Sequence, residues 1–328
     1  MIAMRTKIQS GVMLIALVMG VCDHAALAQS YPDKPIRVVV PFPAGGAADI
    51  VARHVTTRLT EGLGQTIIVD NRGGAGGVIG GENIARSPTD GYHLLFASSS
   101  VLSINPHLGV KASYDVMRSF TPIVQIGHAP NVLVVHPSVP AQHVKALIGL
   151  AKAKPGVLAY ASNGVGTLSH LTGELFAQRA EVKLWHVPYK GAAPATIDTM
   201  AGNVSLLFAA FPSVSAQMRS GRLRALAVTS AKRMAIAPEL PTVAESALPD
   251  FESSQWWGLY GPLGISSVVV ERINTVTNKV LITEEMRRAL ASDGAAPSGG
   301  TPAALAAYHK ADYDQWAKVI AKAQIKAN

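Results

Sequence analysis

The sequence predicts an α/β protein in which helices wind over mainly parallel sheets, divided into two lobes. Three features predict it. Short β-branched runs alternate with stretches whose apolar residues recur at helical spacing, the pattern of successive βαβ units. The first such run, IRVVVP at 36–41, carries Val38-Val39-Val40 without alternation, as expected for a strand buried on both faces. The alternation also comes in two series, joined by extended segments near 129–136 and 255–261 beside Pro or Gly.

The first series reads strand 36–41, helix 49–63 with Ile50, Val51, Val55, Leu59 and Leu63 at helical spacing, strand 66–70, helix 78–86 and strand 93–97. The second reads helix 141–154, closed by Pro155-Gly156, then strand 157–161, helix 167–179 and strand 184–188. Helix 194–200, strand 205–210, helix 212–220 and strand 224–229 complete it. Helices at 268–282, 284–292 and 302–322 end the chain and return to the first lobe. Residues 29–130 with 256–328 form lobe one, and 131–255 form lobe two.

The 328 residues are 48% hydrophobic and 15% charged, which supplies packed cores and argues against disorder. One cysteine excludes a disulfide framework and any cysteine-based zinc or iron–sulfur site. Residues 1–28 read as a signal peptide: Arg5 and Lys7, an apolar run at 12–21, and an Ala26-Leu27-Ala28 exit with cleavage after Ala28. That run is half the ~20 residues a spanning helix needs. Cys22 follows Val21, not the small residue a lipid-attachment site wants. The chain is thus expected outside the cytoplasm, in a bacterial periplasm, away from nucleotide cofactor pools.

Two loops between strand and helix carry the chemistry. PFPAGGAAD (41–49) places Gly45 and Gly46 where a helix starts, leaving amide donors uncovered at its positive end, an anion site. The alternative is a tight turn capped or braced by Asp49. ASNGVGTLSH (161–170) pairs Gly164 and Gly166 with Ser162, Asn163, Thr167 and Ser169, and also runs into a helix. It narrowly misses a dinucleotide fingerprint and lacks the acid about 20 residues on. His170 reads as a packed histidine before a ligand or a base. The glycine run at 73–81 reads as a turn and a close-packed helix start. No nucleophile elbow, phosphate loop or zinc-protease motif is present, and the ten histidines are scattered, so neither metal nor cofactor is called for. Net charge is +8, and 199–238 holds Arg219, Arg222, Arg224, Lys232 and Arg233 without an acid. This is a solvated face or a docking surface; aromatics do not interleave with it, so nucleic acid is not supported.

Taken in order, PFPAGGAAD, VDNRGGAGG, ASNGVGTLSH, VPYKGAAPA, GRLRALAVTSAKR, LPTVAES and GGTPAALAAY resemble the Bug-type (TctC-like) extracytoplasmic receptors of tripartite tricarboxylate transporters, across nearly the whole chain. The resemblance implies a type II periplasmic-binding-protein fold and a small carboxylate captured by lobe closure. Its partners would be the transporter's membrane subunits, its state monomeric, and it would perform no catalysis. It implies ligand contacts from Phe42, Ala44, Gly45, Gly46 and Ala47, from Ser98 and Ser99 within the loop 98–100, and from Ser162, Asn163, Gly166, Thr167 and His170. Relatives often carry Asp near the strand read here as SLLFA; Ala209 stands at that cleft position and Ser205 at the other, which argues for a ligand without an amino group. Lys190 either lines the cleft or braces its loop. The alternatives are a sensor subunit presenting the same ligand to a signalling receptor, and a secreted hydrolase using His170 with Ser162 or Ser169.

Overall fold

The computed structural model describes residues 31–189 and 191–326; the signal peptide with its cleavage site, and Lys190, lie outside the described residues. In the first half, β1 (Ile36–Val40) pairs in parallel with β2 (Ile67–Asn71) and β3 (His93–Ser98). Arg37 interrupts the apolar run of β1 and pairs with Asp70, and the apolar stretch Val38–Val40 is explained by two cores. Val38 and Val40 pack on one face with α1 (Ala47–Leu63) and α8 (Ser267–Leu281), and Val39 packs on the other with Ile84, Leu95 and Trp256. Along α1, Val51, Val55, Leu59 and Leu63 are buried, but Ile50 is exposed, so the buried stripe is narrower than its apolar residues suggest. Gly64, left-handed at φ 73, ends the helix and donates to the Thr60 carbonyl.

The second half repeats the scheme. β5 (Ala159–Ser162) pairs in parallel with β6 (Trp185–Pro188) and β7 (Leu206–Ala210). Period-two alternation again serves two cores: Leu206 and Phe208 face one, Leu207 and Ala209 the other. Helices α4 (Leu168–Ala180), α5 (Ala192–Met200) and α6 (Phe211–Arg219) follow β5, β6 and β7. In the first half, α2 (Val78–Ala85) follows β2, after a 3-10 turn at Ala75–Gly77. At Gly80 a Cβ would stand 2.8 Å from Pro41 Cβ, so the close-packed helix start expected of the glycine run is present.

Strands β4 (Phe120–Val135) and β9 (Ser254–Pro262) join the halves, and both are longer than the extended segments seen in the sequence. β9 lies antiparallel between β3 and β4. Farther along, β4 runs antiparallel to β7 and to β8 (Arg224–Val228). The register decides where the loops go. β3 ends at Ser98, opposite Trp257, which is itself opposite Gly127 of β4; β7 ends at Ala210, opposite Asn131 of β4. The carboxyl ends of the two sheets therefore approach one short stretch of β4 from opposite directions.

The remaining elements are α3 (Val144–Ala153), α7 (Val243–Ser246), α9 (Glu284–Ser292), β10 (Ala296–Pro297) and α10 (Pro302–Ala323). Ser100–Ile104, after β3, is a π-helical turn and Asn105–Leu108 a 3-10 turn, neither of them anticipated. The last helix also departs from expectation. Leu305 packs in the first half with Val39 and Trp256, but Trp316, Val319 and Ile320 enter the second core with Leu171 and Phe176. Assigning all of 256–328 to lobe one misses this, because helical periodicity cannot say which sheet a face covers.

Candidate functional site

The loop after β1 is built to leave donors free. Gly45 sits at φ 82, a conformation that disfavours side chains, and turns the chain into α1. Its N–H donates to Asp49 Oδ2 at 2.8 Å, while Arg53 Nε and Asn71 Nδ2 reach the same carboxylate at 3.0 Å. Burial opposes the charge of Asp49, but these hydrogen bonds outweigh it and hold its pKa below the usual carboxylate value. Asp49 thus braces the loop from beneath. It does not cap the helix: Gly46 is the N-cap, and no side chain accepts from the first turn. Those uncovered N–H groups border a pocket of about 380 Å³ walled by Phe42, Pro43, Ala44, Gly46, Ala47 and Ala48 on one side and by Ser100, Gln255 and Trp257 on the other. Ser98 and Ser99 are fully buried behind it, their hydroxyls without partners among the described residues.

The loop after β5 is tied more tightly. Thr167 Oγ1 donates to the Gly164 carbonyl at 2.7 Å, Ser169 Oγ accepts from Asn163 N–H at 2.9 Å, and His170 Nδ1 accepts from Gly166 N–H at 3.0 Å. Although Thr167 is the N-cap of α4, its hydroxyl is engaged in the loop, and the first turn again has no side-chain cap. Asn163 keeps a buried amide oxygen without a partner among the described residues. Gly166 lies against Leu108, where an added Cβ would come within 2.9 Å of Leu108 Cδ1.

Beneath this loop the rings of His170 and His186 stack at 3.8 Å, and Tyr160 stacks on His186 at 4.8 Å. Ser162 Oγ lies 2.7 Å from His186 Nε2. Burial first, and then the neighbouring imidazole, push the pKa of His170 down to about 4; burial alone does the same to His186. Both rings are neutral. Because His170 Nδ1 accepts a backbone proton, its own proton sits on Nε2, 4.0 Å from Glu174 Oε1. This defeats the hydrolase reading in physical terms. Ser162 has no exposed surface and His170 has 5%, so no substrate reaches a nucleophile–base pair here.

The structure therefore gathers Phe42, Ala44, Gly46 and Ala47 in one pocket, and Ser162, Asn163, Gly166, Thr167 and His170 in a second loop cluster; no hydrogen bond joins the two groups. Ala209 stands apart: its methyl packs in the core with Val132 and Leu207, and the residue exposed at the strand end is Ala210. Sequence reasoning missed Gln255, Trp257 and His186, and named Ser100 only as part of the loop 98–100. Gln255 had a legible signal, a lone amide in the apolar run of β9. Larger hollows of about 970 and 650 Å³ lie elsewhere, one by His107 and Gln324, the other by Phe211 and Arg219. In the basic stretch, Arg224 donates to the carbonyls of Val139 and Ala141, and Arg233 pairs with Glu245, so both serve the fold. No group suited to a metal ion occurs among the described residues.

Two α/β halves crossed by two shared strands, with donor-rich loops converging from both sheets, define a two-lobe binding protein of the periplasmic type. The chain belongs to the tripartite tricarboxylate transporter family receptors, whose model matches residues 51–325. It is 38% identical over 294 residues to protein BugT of Bordetella pertussis, covering 89% of this chain and 90% of that one. It is 39% identical over 316 residues to a protein from the tcbD-tcbE intergenic region of Pseudomonas sp. strain P51, covering 96% and 94%. Among solved structures, Rpa4515 of R. palustris with adipate matches at 34% identity and TM-score 0.72, covering 90% of this chain and 99% of that one. The periplasmic binding protein BugD matches at 34% and 0.68 (91% and 100%), and MatC of Rhodopseudomonas palustris with bound malate at 26% and 0.68 (88% and 100%). The chain is accordingly a solute-binding receptor of a periplasmic family, not an enzyme. No described helix is long and apolar enough to cross a membrane.

Proposed function

We propose that this receptor captures a small organic carboxylate between its lobes and delivers it to the membrane subunits of a tripartite tricarboxylate-type transporter. The observation that carries the reading is the uncapped start of α1, bordering a pocket between Phe42 and Trp257. A carboxylate there accepts from the Gly46–Ala47 amides and meets the positive end of the helix dipole, and charge-assisted bonds of this kind contribute roughly 1.5–3 kcal/mol each. Closure about β4 and β9 brings in the loop at 162–170, with Asn163 and the start of α4 as the second set of contacts. Adipate and malate in the solved relatives support the ligand class. The chain acts as a monomer, exported and cut after Ala28. A thermal-shift screen of residues 29–328 against organic acids, amino acids, sugars and nucleotides tests this. At 100 times its Kd the ligand stabilises by about 2.7 kcal/mol. A shift with carboxylates alone is expected; a shift with sugars or nucleotides alone refutes the carboxylate site.

A further inference from the structure

Strand alternation sends Ser254 and Trp256 to one side of β9 and Gln255 and Trp257 to the other, where both enter the pocket of α1. Gln255 is only half-buried in a strand that is otherwise almost wholly buried. Its amide is oriented: Ser100 Oγ, at the first residue of the π-helical turn after β3, lies 3.3 Å from Gln255 Oε1 and donates to it. With Oε1 so engaged, the Nε2 hydrogens are presented away from Ser100, and they have no acceptor among the described residues. No charged side chain lines this pocket.

We infer that Gln255, held by Ser100, is a specificity-determining residue that donates to an acceptor on the ligand close to its cradled carboxylate. The preferred ligand class is then acids bearing a hydroxyl or keto oxygen on the carbon next to the cradled carboxylate. A pocket of about 380 Å³ stands near the lower end of the ~300–1,000 Å³ range for ligand sites, so the cradle and the amide act on one small molecule. The inference rests on the receptor reading above. It goes beyond that reading by naming which feature of the acid is read, and by which side chain.

Calorimetric titration with malate against succinate, and with mandelate against phenylacetate, tests it, since each pair differs by one hydroxyl next to a carboxylate. The wild-type chain should favour the hydroxy acid of a bound pair by about tenfold, the value of one good hydrogen bond. Gln255→Leu should bring the pair within about threefold. Ser100→Ala, a smaller change that leaves the strand intact, should weaken the preference in the same direction, which guards against a Gln255 variant that misfolds. Equal binding of both members by the wild-type chain, or an unchanged preference in both variants, overturns the inference while the receptor reading stands. Failure of both pairs to bind at millimolar concentration overturns it too. Failure of every carboxylate in the broader screen overturns the receptor reading instead.

Discussion

The helices that follow β1, β5, β6 and β7 begin at Gly46, Thr167, Gly191 and Ala210, none with a side-chain cap. Helices α7, α8, α9 and α10 begin at Thr242, Ser266, Thr283 and Thr301, and each hydroxyl accepts from its own first turn. Thr167 sharpens the contrast, because it has the right side chain and uses it on the Gly164 carbonyl instead. A missing cap costs about 1 kcal/mol. Where the strands only need to be connected, the sequence supplies the cap. Where the strand ends converge on the waist of β4, it withholds the cap and leaves the first-turn donors without a side-chain partner.

The strongest way to break this contrast is to supply the missing cap. Gly46→Asp puts a carboxylate on the first turn of α1, and the added Cβ finds only ordinary contact, 3.6 Å from the Pro43 carbonyl oxygen. Stability should rise by about 0.5–1 kcal/mol from cap and dipole together, while affinity for the carboxylate found in the screen falls at least about 100-fold. Thermal melts and calorimetric titration read the two quantities separately. A stabilised variant that still binds would show that the turn is only a turn.

A second, smaller effect concerns what lies beneath the second loop. His170 and His186 titrate near 4 in the folded chain against 6.5 for a free imidazole. Below about pH 6.5 the unfolded chain takes up protons that the folded chain refuses. Their contribution to stability is therefore complete above that pH and is lost progressively as pH falls toward 4. The melting temperature should drop across this window. His186→Asn, which retains an amide for Ser162 and removes the ring pressing on His170, should flatten the slope. An unchanged slope would assign the acid sensitivity elsewhere, for instance to His309, which burial also pushes down to about 4.

The smallest effects belong to the capped set. Thr283→Ala and Thr301→Ala should each lower stability by about 1 kcal/mol in denaturant titrations and leave ligand affinity within about twofold. A binding defect in either would blur the distinction between the two kinds of helix start.

Much of this was legible in the chain, and the reason is local. Val38-Val39-Val40 announces a strand with two buried faces, and the glycines at 45–46 announce an uncapped start. Each is decided by a few neighbouring residues. What was not legible depends on which distant elements meet. Ser162 and His170 look alike as donors in the sequence, but only the fold brings His186 over both of them. Gln255 reaches the first loop through β9, about two hundred residues later in the chain. Ala209, expected at the cleft from the family pattern, packs in the core with Val132 and Leu207, because a motif position does not say which face of the strand a side chain takes.

The last helix carries a consequence for how the molecule comes apart. Leu305 belongs to the first half and Trp316, Val319 and Ile320 to the second, so neither half has a complete interior without the same stretch of chain. The two halves should therefore not melt independently. Scanning calorimetry is expected to give one endotherm whose calorimetric and van't Hoff enthalpies agree, and a protease cut near residue 302 should dissolve both halves at once.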